Sequence, residues 1–211
     1  MTGGLSILMS SALWIQWGSI AIDRERRARA ARSQLVALHR HGQPYGDTLV
    51  VELDASIVAV SAAAHALDAL YGQLITDAIR AAGPKGKGRE AHIRECLKRR
   101  FKTGRRDVAW VQEFDWLFKL RDAAVHAEVK LLPPVAHPSG IGNSGQVSAD
   151  YSAEAAMRAV DLLIDVLETC IANPKPGDKD AKAWANDYRS SVETLAMQRD
   201  VSRDARPIVT A

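Results

Sequence analysis

An arginine inside the apolar stripe of one predicted helix constrains the fold of this chain more than any other feature. Residues 110–128 place apolar side chains at the three- and four-residue spacing of a helix that packs on a core: Trp110, Phe114, Leu117, Phe118 and Val125. Arg121 falls at the centre of that stripe. Because an unpaired buried charge costs several kcal/mol, the guanidinium must be paired or must line a cavity.

A carboxylate and a histidine follow Arg121 in the same predicted helix. His126 comes five residues after Arg121, and Asp122 lies four residues before His126 on the same helical face. A carboxylate at that spacing can fix the tautomer of the imidazole ring. The segment therefore offers a cation that fits a phosphate group, a titratable imidazole and an orienting carboxylate, which together suit phosphoryl-ester chemistry.

The string from Arg121 to His126 resembles the signature of the HEPN (higher eukaryotes and prokaryotes nucleotide-binding) superfamily, an Arg followed after a short spacing by a His. Asp122 matches the polar residue that the family carries directly after the Arg. The resemblance implies an all-α bundle with the motif near the end of a helix. It also implies a homodimer in which two copies of the motif build one composite site.

The resemblance further implies a metal-independent ribonuclease that needs no cofactor. In such an enzyme the catalytic residues are Arg121, Asp122 and His126. Arg121 holds the scissile phosphate, His126 acts as general acid or base for attack by the ribose 2′-hydroxyl, and Asp122 orients His126. RNA is then the expected partner. Bacterial members of the family are typically toxins or phage-defence proteins, so a protein that inhibits the activity is a further expected partner.

Composition is that of a globular chain. With 211 residues, 47% apolar and 25% charged, the chain can bury a sizeable core. The net charge of +3 permits nucleic-acid binding without requiring it. Cys96 and Cys170 lie in separate predicted helices without metal-ligand spacing, so we expect a reduced cytoplasmic protein and no metal site.

The N-terminal residues 5–22 are predominantly apolar and are followed by a run of arginines over residues 24–32. This run barely reaches the length that spans a membrane, and it contains one Gly, four Ser and one Gln. We therefore expect no stable membrane insertion. The residues instead predict one long helix over residues 5–40 that packs on the bundle or on a second subunit.

The second predicted helix covers residues 48–82 and carries polar side chains on one narrow stripe: Asp54, Ser61, His65 and Asp68. One interpretation is that this row faces Arg121 and His126, in which case His65 contacts the substrate. The other, which we favour, is that the row is the solvated face of an amphipathic helix.

The most basic region of the chain follows, over residues 83–106. Its glycine-rich turn lacks the spacing of a nucleotide-hydrolase phosphate loop, and no strand precedes it. In the helix predicted over residues 89–102 we assign Arg94, Lys98 and Arg99 as substrate-binding residues that guide a phosphate backbone. The alternative is an ordinary exposed helix face.

Three prolines and three glycines between residues 129 and 148 predict a long extended loop. Connections of this length inside a compact domain are often functional. His137 either approaches the Arg121 site or sits before Pro138 in an extended segment, and we expect the second.

Two further helices are predicted over residues 151–171 and from Asp178, as cap, to residue 199. Because no segment alternates with period two, we predict an all-α fold, a four-helix up-and-down bundle with additional N-terminal and C-terminal helices. Residues 1–47 form an N-terminal helical extension, residues 48–200 the HEPN-like bundle and residues 201–211 a loose tail.

Three classes of function fit this sequence. The first is a HEPN-like ribonuclease, and the second is a HEPN-like bundle that binds nucleotides or a protein partner without catalysis. The third is an unrelated helical interaction protein, in which Arg121 pairs with a core carboxylate such as Asp54, Asp68 or Glu113. We favour the first.

Overall fold

Long helices joined by short turns make up almost all of the computed structural model, which describes residues 12–125 and 134–204. Of these described residues 78% are helical, so the predicted all-α helical bundle is confirmed. The described helices and strands follow in chain order: α1 (Leu13–Arg40), α2 (Gly46–Leu74), α3 (Asp77–Ala81), α4 (Arg89–Arg100), α5 (Arg106–Val125), β1 (Val135–Ala136), β2 (Asn143–Ser144), α6 (Gln146–Asp150), α7 (Ala153–Ala172) and α8 (Lys179–Asp204).

Helices α1 and α2 form an antiparallel pair on which α7 and α8 pack. Their direction follows from two side-chain contacts, Trp14 with Gln73 at one end and Arg32 with Glu52 at the other. Small side chains line the crossing of α1, α2 and α7: Ala28, Ala55, Ala59, Ala153 and Ala156. Because alanine has so little side chain, the three helix backbones can approach closely there.

Aromatic side chains close the end of the bundle where α1 begins. Trp14 is fully buried, and its ring lies 5.8 Å from Trp184 and 5.5 Å from Tyr188, centroid to centroid. The indole N–H groups of both tryptophans donate to the Gln73 side chain, at 2.9 and 3.0 Å, and Gln73 donates to the Tyr188 hydroxyl at 2.7 Å. The indole N–H groups of the two buried tryptophans are therefore both paired, through an exposed glutamine.

Buried charge occupies the opposite end. Glu52 is 1% exposed and accepts hydrogen bonds from Arg32 (Nη2, 2.6 Å) and from the backbone N–H of Ala153 (2.8 Å). Arg32 also bonds Glu154 at the start of α7. This charge cluster joins α1, α2 and α7, and no apolar pattern in the sequence indicates it.

Two predicted helix ends are wrong. The helix predicted over residues 48–82 stops at Leu74, because Ile75 is extended and Thr76 caps the separate short helix α3 (Ile79 N to Thr76 Oγ1, 3.3 Å). At the C-terminus, residues 201–204 belong to α8 instead of a loose tail, because Arg203 bonds the fully buried Glu25. Residues 205–211 lie outside the described part of the chain.

The connection after α5 contains more structure than predicted. From residue 134 onward it forms a hairpin of β1 and β2, in which Val135 pairs with Ser144, followed by α6. Gly140 and Gly142 allow the tight turn, since their φ angles of 75° and 110° are strained for other residues. The predicted cap of the last helix is confirmed, since Asp178 Oδ1 accepts from the N–H of Ala181 at 2.9 Å.

The division into an N-terminal extension of residues 1–47 and a bundle of residues 48–200 stays a prediction. In the structure α1 contributes Trp14, Ala21 and Leu35 to the buried core. Residues 1–11, which include the first half of the apolar N-terminal run, are outside the described residues.

We expect Glu52→Ala to destabilise the fold strongly. The substitution leaves the mostly buried Arg32 with the half-exposed Glu154 alone and the Ala153 N–H without its acceptor. Loss of one member of a buried ion pair costs roughly 3–5 kcal/mol. Urea unfolding measures the change, with Asp54→Ala on the exposed face of the same helix as the control, expected to change the free energy of unfolding by less than about 0.5 kcal/mol. Equal effects of the two substitutions would contradict this role of Glu52.

Candidate functional site

Arg121 lies in the last turn of α5 at the edge of the core. Trp110, Phe114 and Leu117 are buried as the apolar stripe predicts, whereas Val125 is 66% exposed, so its predicted core position is wrong. The Arg121 side chain is 20% exposed, and its guanidinium carbon lies 5.0 Å from the centroid of the Phe118 ring. The charge is thus set on an aromatic face at the boundary between core and solvent.

The guanidinium of Arg121 is paired with the next residue along the chain. Its Nε and Nη2 donate to Oδ1 of Asp122 at 2.9 and 2.6 Å. The Asp122 side chain is 58% exposed, which makes this a surface ion pair and not a core one. Asp122 was expected to orient His126, but His126 lies outside the described residues, so that role remains a prediction.

The carboxylates proposed as core partners of Arg121 are engaged elsewhere or exposed. Glu113 bonds Arg158 at 2.7 Å, Asp68 bonds Arg89, and Asp54 is exposed. The pairing of Arg121 assumed by the third class of function therefore differs from the pairing in the structure.

A buried tyrosine fixes the end of α5. The hydroxyl of Tyr151, a residue only 4% exposed, donates to the backbone carbonyl of Leu120. Burial raises the pKa of Tyr151, so the phenol stays protonated and remains a donor. The residue next to Arg121 is thereby held against the start of α7.

The three basic residues predicted to bind substrate have different surroundings on α4. Arg99 bonds Glu95 at 2.6 Å and the Ala82 carbonyl at 3.1 Å, and Lys98 bonds Asp107 at 3.1 Å. The Nε of Arg94 is buried and has no hydrogen-bond partner. Arg94 is therefore the one of these three cations whose hydrogen-bonding capacity is least satisfied by the described chain.

Arg94 lines a depression between α4 and the start of α5. The lining includes two further cations and four carboxylates: Lys87, Lys98, Glu90, Glu95, Asp107 and Asp115. On α5 this depression extends from Asp107, 14 residues before Arg121, to Asp115, six residues before it. At 1.5 Å per residue these positions lie about 21 Å and about 9 Å from Arg121 along the helix.

His65 does not lie beside Arg121. Its ring stacks on Trp17 of α1, with 5.0 Å between the ring centroids. Glu52, near the Arg121 end of the bundle, and His65 are 13 residues apart on α2, about 20 Å along the helix axis. Of the polar row on α2, Asp54 is exposed, whereas Ser61, His65 and Asp68 are partly buried and Asp68 bonds Arg89 of α4. The solvated-face interpretation that we favoured therefore holds for Asp54 alone.

The sequence analysis missed the burial of His137. The residue is 3% exposed, and its Nδ1 lies 2.7 Å from Oγ of Ser139. An extended position before Pro138 was expected, and its burial was not, because the hairpin of β1 and β2 turns this side chain inward. The one available signal was the Ser two residues later, a spacing that allows a local side-chain turn.

The thiols are not nucleophiles in this fold. Burial raises the pKa of Cys96 to about 11 and raises that of the fully buried Cys170 as well. Among residues 12–125 and 134–204, no group of three His, Cys, Asp or Glu side chains is arranged to hold a metal ion.

No protein-family model matches the chain, and no curated protein or solved structure is significantly similar to it. Helix α2 is long and apolar enough to cross a membrane by length and composition, but half of its most apolar stretch is buried inside the bundle. Core helices share this property, so the finding is weak evidence for a membrane span.

Arg121→Met should leave the stability of the fold nearly unchanged. A surface pair such as Arg121–Asp122 contributes about 0–1 kcal/mol, and methionine retains the apolar contact with Phe118. The matched variant Arg100→Met should cost roughly 3–5 kcal/mol, because Arg100 is 5% exposed and bonds Asp178 and the Leu74 carbonyl. Chemical denaturation of both variants measures the difference. A loss above about 2 kcal/mol for Arg121→Met would give Arg121 a structural role instead.

Proposed function

We propose that this chain is a HEPN-like, metal-independent endoribonuclease whose Arg121 and His126 form a composite site across a homodimer. The observation that carries the proposal is the placement of Arg121 at the end of α5, mostly buried on Phe118 yet paired only with an exposed neighbouring carboxylate among the described residues. An arginine that serves the core is held by buried acceptors, whereas this one can exchange its partner at the surface.

A phosphate group is the natural replacement for that partner. The guanidinium presents parallel N–H groups that match two oxygens of a phosphate, and such charge-assisted pairs are stronger than neutral hydrogen bonds. Since the pair with Asp122 contributes about 0–1 kcal/mol, its loss on phosphate binding costs little. Asp122 is then free to accept a hydrogen bond from His126, as the spacing of four residues predicts.

The chemistry that follows needs no metal. A general base removes the proton of the ribose 2′-hydroxyl, whose oxygen attacks the adjacent phosphorus, and a general acid protonates the leaving 5′-oxygen. The products are a 2′,3′-cyclic phosphate and a 5′-hydroxyl. Arg121 stabilises the charge that develops on the phosphate oxygens. Two proton-transfer groups are required and the motif supplies one His126 per chain, which is the chemical reason for a dimer.

The basic helix α4 extends this site along the substrate. A single strand that follows α5 from Arg121 to the depression lined by Arg94 covers about 9 to 21 Å. Arg94 is the strongest candidate for a phosphate contact there, because, unlike Lys98 and Arg99, it is paired with no carboxylate of the described residues. Lys98 and Arg99 contribute less, since each already binds a carboxylate.

The biological setting is proposed from the resemblance alone. Bacterial proteins of this kind act as toxins or in phage defence and are held in check by a partner, so we propose a cytoplasmic ribonuclease with an inhibitory protein partner.

A second candidate function is a HEPN-like bundle that binds nucleotides or a protein without cleaving RNA. The observation that favours it is the engagement of Asp122 by Arg121, which leaves the orienting carboxylate occupied in this conformation. The two functions differ in one measurement, the cleavage of RNA.

Purified protein should cleave total RNA in the presence of a chelator. Arg121→Ala and His126→Ala should each lower the cleavage rate at least about 100-fold, because each removes a group that acts in the transition state. Far-ultraviolet circular dichroism should show unchanged helicity for both variants. Gel electrophoresis and end-group analysis of the 2′,3′-cyclic phosphate provide the measurement.

The controls for this experiment are Arg27→Ala and His41→Ala, which replace exposed residues of the same types. Both should cleave RNA like the wild type. Sedimentation analysis must show a dimer at the concentration used. Absence of cleavage by a dimeric wild type would refute the ribonuclease, and equal cleavage by His126→Ala would refute the assigned site.

RNA binding should depend on Arg94 more than on Arg99. In a His126→Ala background, which prevents cleavage, Arg94→Gln should weaken binding of a single-stranded RNA. It should also reduce the slope of log Kobs against log salt by about 0.7, the value for one phosphate contact. Arg99→Gln, a matched loss of charge, should change the slope less because Glu95 already pairs with Arg99. Fluorescence anisotropy over a salt series measures both slopes. Identical slopes for His126→Ala alone and for His126→Ala with Arg94→Gln would exclude Arg94 from the contact.

A further inference from the structure

The hairpin of β1 and β2 buries the side chain of His137, which is 3% exposed. The hairpin itself is small: the N–H of His137 bonds the Gly142 carbonyl at 2.9 Å, and the N–H of Gly140 bonds the His137 carbonyl at 2.9 Å. Besides His137, its tip buries Ile141, which is 8% exposed. Two strands of two residues each have little stability of their own, so these inward side chains decide whether the hairpin stays docked.

Two contacts of the His137 ring bear on its protonation. The backbone N–H of Ser139 donates to Nδ1 at 3.3 Å, a contact that exists only while Nδ1 carries no proton. Oγ of Ser139 lies 2.7 Å from Nδ1, and the tautomer of the ring decides whether this hydroxyl donates or accepts. Nε2 is buried and has no well-formed hydrogen bond within the described residues. A cationic ring, with protons on both nitrogens, removes the acceptor of the Ser139 N–H.

Charged groups from three helices face the ring, and none of them is arranged to accept its proton. Arg32 comes from α1, Glu52 from α2 and Glu154 from α7. The Ser148 backbone of α6 offers the ring a hydrogen bond that favours the protonated form, against the larger opposing effect of burial. Both carboxylates are already bonded by Arg32, and Glu52 also accepts from the backbone of α7. A protonated His137 would gain no hydrogen-bonded ion pair and would add a second cation beside Arg32.

We propose that the protonation state of His137 controls the docking of the β1–β2 hairpin. The hairpin packs on the bundle while the ring is neutral and separates from the bundle when the ring is protonated. The proposal concerns residues 134–145 and does not rest on the proposed ribonuclease activity. It gives a role to a buried histidine that destabilises the fold, because Nε2 has no well-formed hydrogen bond within the described residues.

The direction of the pH dependence follows from burial. Burial lowers the pKa of His137 below its ordinary value, an effect that Arg32 reinforces and that Glu52, Glu154 and the Ser148 backbone oppose. An undocked hairpin exposes the ring, whose pKa is then about 6.5. The docked state is therefore fully favoured above about pH 6.5 and loses stability as the pH falls through that value. Between the two pKa values the open fraction rises up to about tenfold per pH unit.

Amide hydrogen exchange of the hairpin tests this inference. Protection factors of the His137 and Gly140 amides, corrected for the intrinsic pH dependence of exchange, are measured by NMR on the full chain from pH 5 to pH 8. In the wild type they should fall by up to about tenfold per unit below pH 6.5. In His137→Asn they should not depend on pH, because Oδ1 of asparagine can accept from the Ser139 N–H and does not titrate.

The matched control is His41→Asn, the same change at an exposed histidine, which should behave like the wild type. A second measurement keeps the test independent of how well His137→Asn folds: the imidazole signals of His137 in the wild type should titrate below pH 6.5. A flat wild-type profile, a pH dependence retained in His137→Asn, or a His137 titration at or above 6.5 would each overturn the proposal.

Discussion

A carboxylate buried where three helices meet is the interaction on which the Arg121 end of the bundle depends. Glu52 binds Arg32 of α1 and the first N–H of α7 at Ala153, so it joins three helices through one side chain. Because a buried carboxylate without partners costs several kcal/mol, the helices must keep their positions around it. The hairpin that carries His137 packs beside this cluster, and Tyr151, just before α7, fixes the end of α5 next to Arg121.

The surroundings of the arginines separate those that stabilise the fold from those that remain available for binding. Arg32 and Arg100 are mostly buried and bind buried or backbone acceptors, so their charges are compensated inside the protein. Arg121 binds an exposed neighbour, and no carboxylate of the described residues pairs with Arg94. A guanidinium without a buried partner can bind an anion with several oxygens, which is part of the basis on which we propose RNA as the ligand.

Much of the fold could be predicted from the sequence, because helical periodicity and capping are local properties. The apolar stripe of α7 and the cap at Asp178 are as expected, and so is the burial of Trp110 and Phe114. The errors fall where distant contacts override local preference. An Ala-rich helix stops at Leu74, whose carbonyl accepts a hydrogen bond from Arg100 of α4, although its composition would let it continue. The Pro- and Gly-rich connection folds into a hairpin that buries His137 and Ile141, and the charged groups near His137 come from α1, α2 and α7.

By itself the sequence determined an all-α bundle and the presence of an Arg–His motif at the end of an aromatic helix, since both follow from residue spacing along a helix. Only the tertiary structure decided which charged side chains are paired inside the fold. Whether Asp122, Glu113 or Asp68 pairs with Arg121 depends on how helices pack, and so does the burial of Glu52 and His137. Ion pairs join residues that are up to 178 positions apart, such as Arg203 and Glu25, and no local pattern contains that information.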